Sequence, residues 1–144
     1  MAGNEQDSAK KRPERIRIGE LTRSNTDFRR VVWTGKHSQI VVMAVPVGEE
    51  IGDEVHETTD QILNFFSGVG EADLDGTTYP IASGDEWVVP AGTQHNFRNT
   101  GNVPLLLSTV YSPPEHTAGA VYPTREVADA AEESGEDRPP ASSD

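Results

Sequence analysis

The stretch that decides the fold runs from Gly48 to Asn99 and reads GEEIGDEVHETTDQILNFFSGVGEADLDGTTYPIASGDEWVVPAGTQHNFRN. It contains two spaced patterns, each with residues that can bind a metal ion. The patterns are Gly48-x5-Glu54-x-His56-x4-Gln61-x6-Gly68 and Gly84-x5-Pro90-x-Gly92-x2-His95-x3-Asn99. Glycine and proline at fixed positions indicate turns, so the polar residues between them are candidates for one shared site.

The residues around these patterns predict an all-β domain. Val, Ile, Thr and aromatic residues come in short runs that Gly, Pro, Asn and Asp separate, and no segment between residues 28 and 120 has helical periodicity. Asp75-Gly76 between two such runs predicts a tight hairpin, because both positions tolerate positive φ. This pattern favours a sandwich or barrel. The predicted strands are Phe28–Trp33, Gln39–Val47, Gly52–His56, Gln61–Ser67, Gly70–Leu74, Thr77–Ile81, Glu86–Val89, His95–Asn99 and Leu105–Tyr111.

The two patterns resemble the paired motifs of the cupin family, G-x5-H-x-H-x3,4-E-x6-G and G-x5-P-x-G-x2-H-x3-N. The second motif matches at every defined position, whereas the first departs at Glu54, where a His is usual, and at Gln61, where a Glu is usual. The resemblance covers residues 28–122 and implies a single-domain jelly-roll β-barrel of two antiparallel sheets, often paired as a homodimer. Val55–Gln61 and Tyr111–His116 resemble a bacterial cupin subgroup often labelled mannose-6-phosphate isomerase-like. Cupins that linearise unsaturated uronates also place a Gln at the fourth ligand position, but they typically keep two His in the first motif.

The spacing of the candidate ligands suits a metal site. Glu54 and His56 are two residues apart on a strand and face the same way, and in a barrel Gln61 and His95 can converge on them. Two His and one Glu suit Fe, Mn, Ni or Zn as the divalent ion, and the Gln61 amide oxygen is a weaker fourth ligand. Asp60 is the alternative fourth ligand, although only Gln61 keeps the x6 step to Gly68. Unbound, Glu54 could instead act as a general base.

Strand alternation predicts which residues line the pocket. Residues in phase with Gln61 and His95 face inward, where they line a substrate pocket or simply form the barrel core: Leu63, Phe65 and Phe97. Tyr111 and His116 are further pocket candidates, and His116 is either an acid/base group at the barrel mouth or an ordinary loop histidine. By the same parity Asn96 and Arg98 point outward. Asn99 is expected to bond loop backbone.

Basic residues are scarce around the predicted site. Arg98 is the only Lys or Arg within residues 38–122, which argues against a phosphorylated sugar as substrate. Four of the arginines that precede this region are expected to be solvated at the surface unless the N-terminal strand folds over the barrel mouth: Arg15, Arg17, Arg29 and Arg30.

Composition predicts two mobile tails. Residues 1–14 and the acidic residues 128–144 are too polar to bury enough apolar surface to offset the entropy of ordering, which leaves residues 15–127 as the cupin domain. A short helix from Thr124 to Glu133, capped by Thr124, is predicted at the junction. The alternative is disorder from Glu126 onward.

Charge and residue content exclude several classes of function. The chain has no cysteine, so a metal site needs nitrogen and oxygen ligands. Residues 38–144 hold three Lys/Arg and nineteen Asp/Glu, and so acidic a body repels nucleic acid and anionic membranes. We expect a cytoplasmic protein, because no signal peptide or transmembrane run is evident.

The sequence supports two functional hypotheses. The first is a divalent-metal enzyme that acts on a small organic molecule, either by Lewis-acid chemistry of the isomerase or lyase type or as an Fe(II) dioxygenase. The second is a non-catalytic cupin module that binds a small ligand or a metal. A structural homodimer that retains a relict site is a weaker third reading.

Overall fold

The computed structural model describes residues 11–141. These residues form ten strands and two helices, which are, in chain order, α1 (Ile18–Ser24), β1 (Arg29–Thr34), β2 (Gln39–Val45), β3 (Glu54–Val55), β4 (Asp60–Ser67), β5 (Gly70–Leu74), β6 (Thr77–Ile81), β7 (Glu86–Val89), β8 (Gln94–Asn99), β9 (Leu105–Ser112), β10 (Val121–Tyr122) and α2 (Arg125–Glu133). Within the described part of the chain, neither helix is long and apolar enough to cross a membrane.

The strands form two antiparallel sheets that face each other. One has six strands in the order β10-β1-β2-β9-β4-β7, and the other has four in the order β3-β8-β5-β6. Alternate residues of β4 are buried, as expected for a strand with one face on a core. Phe65 from the six-stranded sheet and Phe97 from the four-stranded sheet meet with ring centroids 5.7 Å apart. The predicted all-β jelly-roll barrel is confirmed.

Turn chemistry explains why several strands have the predicted bounds. β5, β6 and β7 begin and end at the predicted residues. The hairpin between β5 and β6 places Asp75 at φ 48° and Gly76 at φ 85°, the left-handed backbone that an Asp-Gly turn requires. β3 is shorter than predicted and spans only Glu54–Val55. The brief β10, which pairs with β1, was not predicted.

Helix α1 was also missed by the sequence reading. It is only seven residues long and has no side-chain cap at its N-terminus, so its sequence carries no helix-start signal. Its stability comes from tertiary contact: Thr22 is fully buried, and the helix packs against β9 and β4. Residues 1–10 of the predicted N-terminal tail lie outside the described residues.

The C-terminal segment differs most from the expectation. Helix α2 is present with the predicted cap, because the Thr124 hydroxyl accepts the Val127 N–H at 3.2 Å. However, the predicted domain boundary at residue 127 falls inside this helix, and Ala128 is fully buried. Asp137 is bound to His116 at 2.8 Å. The expectation of disorder from residue 128 is therefore wrong for residues 128–141, because two long-range contacts anchor a segment that composition alone marks as unstructured.

Candidate metal centre

Glu54, His56 and His95 come together at one end of the barrel. One potential ligand atom from each lies within 4.8 Å of the other two. Strand pairing builds this cluster, since Glu54 on β3 lies directly opposite His95 on β8. His56 follows two residues later, and its carbonyl accepts the Gly92 N–H at 2.8 Å. The glycine turn of the second motif therefore holds the histidine of the first.

The His56 ring is oriented by a carboxylate. Its Nδ1 lies 3.5 Å from Glu115 Oε2, and Glu115 in turn accepts the Thr59 hydroxyl at 2.9 Å. Burial works to lower the pKa of His56, but the Glu115 contact together with the negative charges of Glu54 and Glu115 outweighs it, so the net shift is upward. The other nitrogen, Nε2, is buried and has no hydrogen-bond partner. A carboxylate on one ring nitrogen and a free second nitrogen is the arrangement of metal-binding histidines.

The His95 ring is also fixed. Its Nδ1 lies 2.9 Å from the Thr93 carbonyl oxygen, and a carbonyl can only accept, so Nδ1 carries the proton. Nε2 is then left as a lone pair free for coordination. Burial lowers the pKa of His95, against the opposing effect of the Thr93 carbonyl. His95 therefore favours the neutral form that a metal ligand needs.

Gln61 and Asp60 differ sharply in environment. Gln61 is 3% exposed, and its Nε2 donates to Thr109 Oγ1 at 3.1 Å, which leaves the buried Oε1 without a partner. Asp60 is exposed, and its Oδ1 accepts the Ala91 N–H at 2.9 Å. The structure thus leaves a free acceptor on Gln61 and commits Asp60 to a surface turn.

This donor set fits a divalent transition metal. It offers two imidazole nitrogens and a carboxylate oxygen, with one neutral amide oxygen available on Gln61. Buried polar atoms normally have hydrogen-bond partners, so unpartnered atoms on both His56 and Gln61 need an explanation. A metal ion with nitrogen and oxygen ligands supplies one.

The predicted pocket residues divide into two groups. Leu63, Phe65 and Phe97 are buried in the hydrophobic core, and none lines the cavity beside Glu54. Packing thus supports their alternative role as barrel core. Tyr111 is different: it is buried and meets the rings of His56 and His116 edge-on, at centroid distances of 5.9 and 4.8 Å. Burial raises the pKa of Tyr111, so its hydroxyl stays protonated.

His116 is not an ordinary loop histidine. It is 4% exposed, and its Nδ1 lies 2.8 Å from Asp137 Oδ2. Burial lowers the pKa of His116 in spite of this carboxylate, so the neutral ring donates through Nδ1. Gln39 fixes the backbone, because its amide oxygen accepts the His116 N–H and its amide nitrogen donates to the His116 carbonyl.

Sequence reasoning missed three residues around the site. Glu115 is adjacent to His116, which the sequence indicated as a pocket residue. The contact of Glu115 with His56 depends on the fold and has no signal in the sequence. Asp137 lies in a segment that composition marks as disordered. Arg29 was expected at the surface unless the N-terminal strand folds over the barrel mouth, and it is 3% exposed and borders the cavity beside Glu54. Alternation along β1 was the only available signal, and it cannot reveal a buried charge.

The remaining polar residues of β8 have structural roles. Arg98 points away from the core and pairs with Glu71 and Asp73. Asn96 is buried rather than outward-exposed, because the preceding chain covers it: its amide accepts the Gly52 N–H at 2.9 Å. Asn99 donates to the carbonyls of Val45 and Val103 and accepts the Gly101 N–H. The prediction that Asn99 bonds loop backbone is confirmed.

Comparison with known proteins gives the family. The Cupin_2 family model, described as a cupin domain, matches residues 41–111. YrkC, an uncharacterized protein from Bacillus subtilis, is 40% identical over 128 residues, which cover 85% of this chain and 69% of YrkC. The chain therefore belongs to the cupin family.

Two further similarities concern a structure and an enzyme. The crystal structure of BH2720 from Bacillus halodurans is 40% identical and superposes with a TM-score of 0.82, covering 83% of this chain and 96% of that chain. Quercetin 2,3-dioxygenase from Bacillus subtilis is 31% identical over 106 residues, which cover 65% of this chain but only 32% of the enzyme. The cupin family thus includes enzymes among the relatives of this chain.

Proposed function

We propose that this cupin binds a divalent metal ion through Glu54, His56 and His95, with the Gln61 amide oxygen as fourth ligand. The buried Nε2 of His56, which has no hydrogen-bond partner, carries the proposal. Leaving such an atom unpaired costs about 1–3 kcal/mol, and an ion held also by Glu54 and His95 would repay it. The second free acceptor, Oε1 of Gln61, supports the same interpretation.

We further propose that the protein is an enzyme acting on a small organic molecule. A bound ion would supply Lewis-acid polarisation of a carbonyl oxygen or, as iron(II), activation of dioxygen. The chain's own residues would shape the site: Glu115 and Thr93 orient the two histidines, and the Tyr111 ring, whose hydroxyl stays neutral, packs against His56. Helix α2 covers one wall of the adjoining cavity and so limits the access of water. Glu54, if it leaves the ion, would be the general base.

The dioxygenase branch has one specific support. Two histidines and one carboxylate are the ligand set of many iron(II) oxygenases, and a quercetin dioxygenase is among the relatives. The isomerase or lyase branch uses the same ligands with zinc, manganese or nickel. Oxygen consumption separates the two branches.

The first test is metal content. Purified protein should contain a stoichiometric divalent metal by elemental analysis. His56→Ala and His95→Ala should each lower the metal affinity by more than about a hundredfold, which is the upper limit for losing a residue that only hydrogen-bonds to a metal ligand. His37→Ala is the matched control, because His37 is exposed and remote from the cluster. Unchanged metal affinity in both variants would sink the metal proposal.

The second test is activity. The metal-loaded protein is screened against small acids, sugars and diketones, with and without air. Oxygen uptake selects the dioxygenase, and turnover without oxygen selects the isomerase or lyase. Metal binding without turnover favours the non-catalytic module, for which the cavity, with a volume of only about 130 Å³, is the supporting observation. We also propose a homodimer, which light scattering measures directly.

A further inference from the structure

Arg29 is a buried guanidinium that forms no ion pair within residues 11–141. The residue opens β1 and is 3% exposed, and its Nε is buried without a hydrogen-bond partner. No carboxylate among residues 11–141 lies within ion-pairing distance of it. Its Cζ lies 5.3 Å from the centroid of the Phe28 ring. Burying a charge in this way is strongly unfavourable unless something pairs with it.

The guanidinium borders a cavity that adjoins the candidate metal centre. The cavity has a volume of about 130 Å³ and lies between the start of β1, the segment Ile51–Glu54 and one side of helix α2. That volume equals roughly four waters, or an organic molecule of a few heavy atoms. Glu54 lines the same cavity, so a ligand held by Arg29 would lie beside Glu54.

The acidic groups around this cavity do not neutralise Arg29. Asp129 pairs with Arg125 at 3.2 Å, and Asp53 accepts a hydrogen bond from Gln94. Glu132 and Glu133 also line the cavity, but neither lies within ion-pairing distance of Arg29. Glu54 is assigned to the metal by the proposed function. The positive charge of Arg29 acts to lower the pKa of Glu132 and Asp137 from a distance, and it also opposes protonation of His56.

We propose that Arg29 binds the carboxylate of a small organic anion in this cavity, so that the substrate of the enzyme proposed above is a small carboxylic acid. The planar guanidinium fork matches the two oxygens of a carboxylate. Arg125, the other arginine on the cavity wall, already pairs with Asp129, so one guanidinium remains for one negative charge. The carboxylates that line the cavity disfavour a ligand with several negative charges. The identification of the anion as a substrate rests on the proposed function. Anion binding by Arg29 does not require the metal.

The test therefore uses the full-length protein freed of metal with a chelator. The probes are lactate, which carries one carboxylate, and lactamide, its uncharged counterpart. The side-chain Nε–H resonance of Arg29 in a proton–nitrogen correlation spectrum reports binding at the guanidinium itself. We expect lactate to shift this resonance in a saturable manner and lactamide to leave it in place.

Two variants and one control complete the experiment. Arg29→Gln should weaken lactate binding by about ten- to a hundredfold, as expected for losing a charged hydrogen-bond pair. Arg29→Lys keeps the charge but loses the fork, and should weaken binding by less. Arg30→Gln is the matched control, because Arg30 is the exposed next residue on the same strand and should bind lactate as the wild type does. Thermal unfolding of each variant shows whether it is folded.

Three outcomes would overturn the proposal. Equal binding of lactate and lactamide would show that the charge is not recognised. Lactate affinity in Arg29→Lys and Arg29→Gln within about twofold of wild type would make Arg29 a counter-charge for the acidic cavity. The absence of any lactate-dependent shift in the wild type would have the same meaning. Metal affinity measured on the same variants keeps the hypotheses apart, since we expect Arg29→Gln to retain it.

Discussion

Replacing Glu115 by Gln tests whether this carboxylate prepares His56 for a metal. Gln has nearly the same shape and can still accept the Thr59 hydroxyl, so the change removes mainly the negative charge 3.5 Å from His56 Nδ1. That distance is long for a hydrogen bond, and the interaction is therefore mainly electrostatic. We expect metal affinity to fall while the fold is retained.

The magnitude of the effect follows from the geometry. Two full charges at 3.5 Å interact by about 5 kcal/mol at an effective dielectric constant of about 20. A coordinated imidazole carries only part of the charge of an ion, and the Glu115 side chain is 31% exposed, so water screens it. Roughly a third to a half of that energy remains, about 1.4–2.7 kcal/mol, which corresponds to a ten- to hundredfold loss of affinity.

The pH dependence gives a second signature. The wild-type surroundings raise the pKa of His56, so protons compete with the metal as the pH falls. Removing the Glu115 charge lowers the pKa of His56 and relieves this competition. The affinity ratio between wild type and variant should therefore be largest near pH 8 and smaller near pH 6.

Competition against a chromogenic chelator, with zinc and with cobalt, measures the affinities. Glu57→Gln is the matched control, because Glu57 is an exposed carboxylate one residue from His56 and removes the same charge without the contact. A loss below about twofold in Glu115→Gln near pH 8, or an equal loss in Glu57→Gln, would refute the reasoning.

Three further predictions concern stability. Asn99→Ala should lower the free energy of unfolding by about 2–4 kcal/mol, because the Asn99 amide no longer donates to the carbonyls of Val45 and Val103. Asn102→Ala, at an exposed position, should change the free energy of unfolding little. Equal denaturant midpoints for the two variants would contradict this prediction. Thr124→Ala removes the cap of α2 and should lower the free energy of unfolding by about 0.5–2 kcal/mol; an unchanged urea midpoint would contradict the capping role. Burial lowers the pKa of His116, so the folded metal-free protein resists protonation there and loses stability as pH falls through about 6.5, by at most about 1.4 kcal/mol per pH unit. His116→Gln, which also loses the bond to Asp137, should therefore be less stable at neutral pH by a margin that narrows on acidification, and parallel pH profiles would contradict this.

The sequence predicted those parts of the fold that short-range chemistry determines. Asp75 and Gly76 define a hairpin because few other residues tolerate that backbone, so β5 and β6 have the predicted bounds. The spacing that ends at His95 and Asn99 likewise depends on turns and strand alternation. The sequence indicated Glu54, His56 and His95 as ligands for the same reason. Glu54 and His56 are two residues apart in an extended segment and face the same way, and His95 follows the turn formed by Pro90 and Gly92.

Long-range contacts account for what the sequence did not predict. Helix α1 has a weak local signal and forms because it packs against β9 and β4. The C-terminal segment is polar by composition, yet the bond between Asp137 and His116 and the hydrogen bonds between Thr117 and residues 136–138 fix it. The burial of Arg29 contradicts the usual location of an arginine, and no local pattern announces it. For α1 and the C-terminal segment, the stabilising contacts come from residues far away in the chain.

The short strand β3 has a consequence for how a metal would leave the protein. It is an edge strand of only two residues, yet it carries Glu54 and leads directly to His56. An ion bound by these residues and His95 would join the two motifs, and its binding free energy would stabilise this edge of the sheet. Local unfolding of β3 would then limit the rate at which the ion dissociates. Amide hydrogen exchange at Gly92, whose N–H is bonded to the His56 carbonyl, should slow on metal loading and so report that local unfolding at this edge is suppressed.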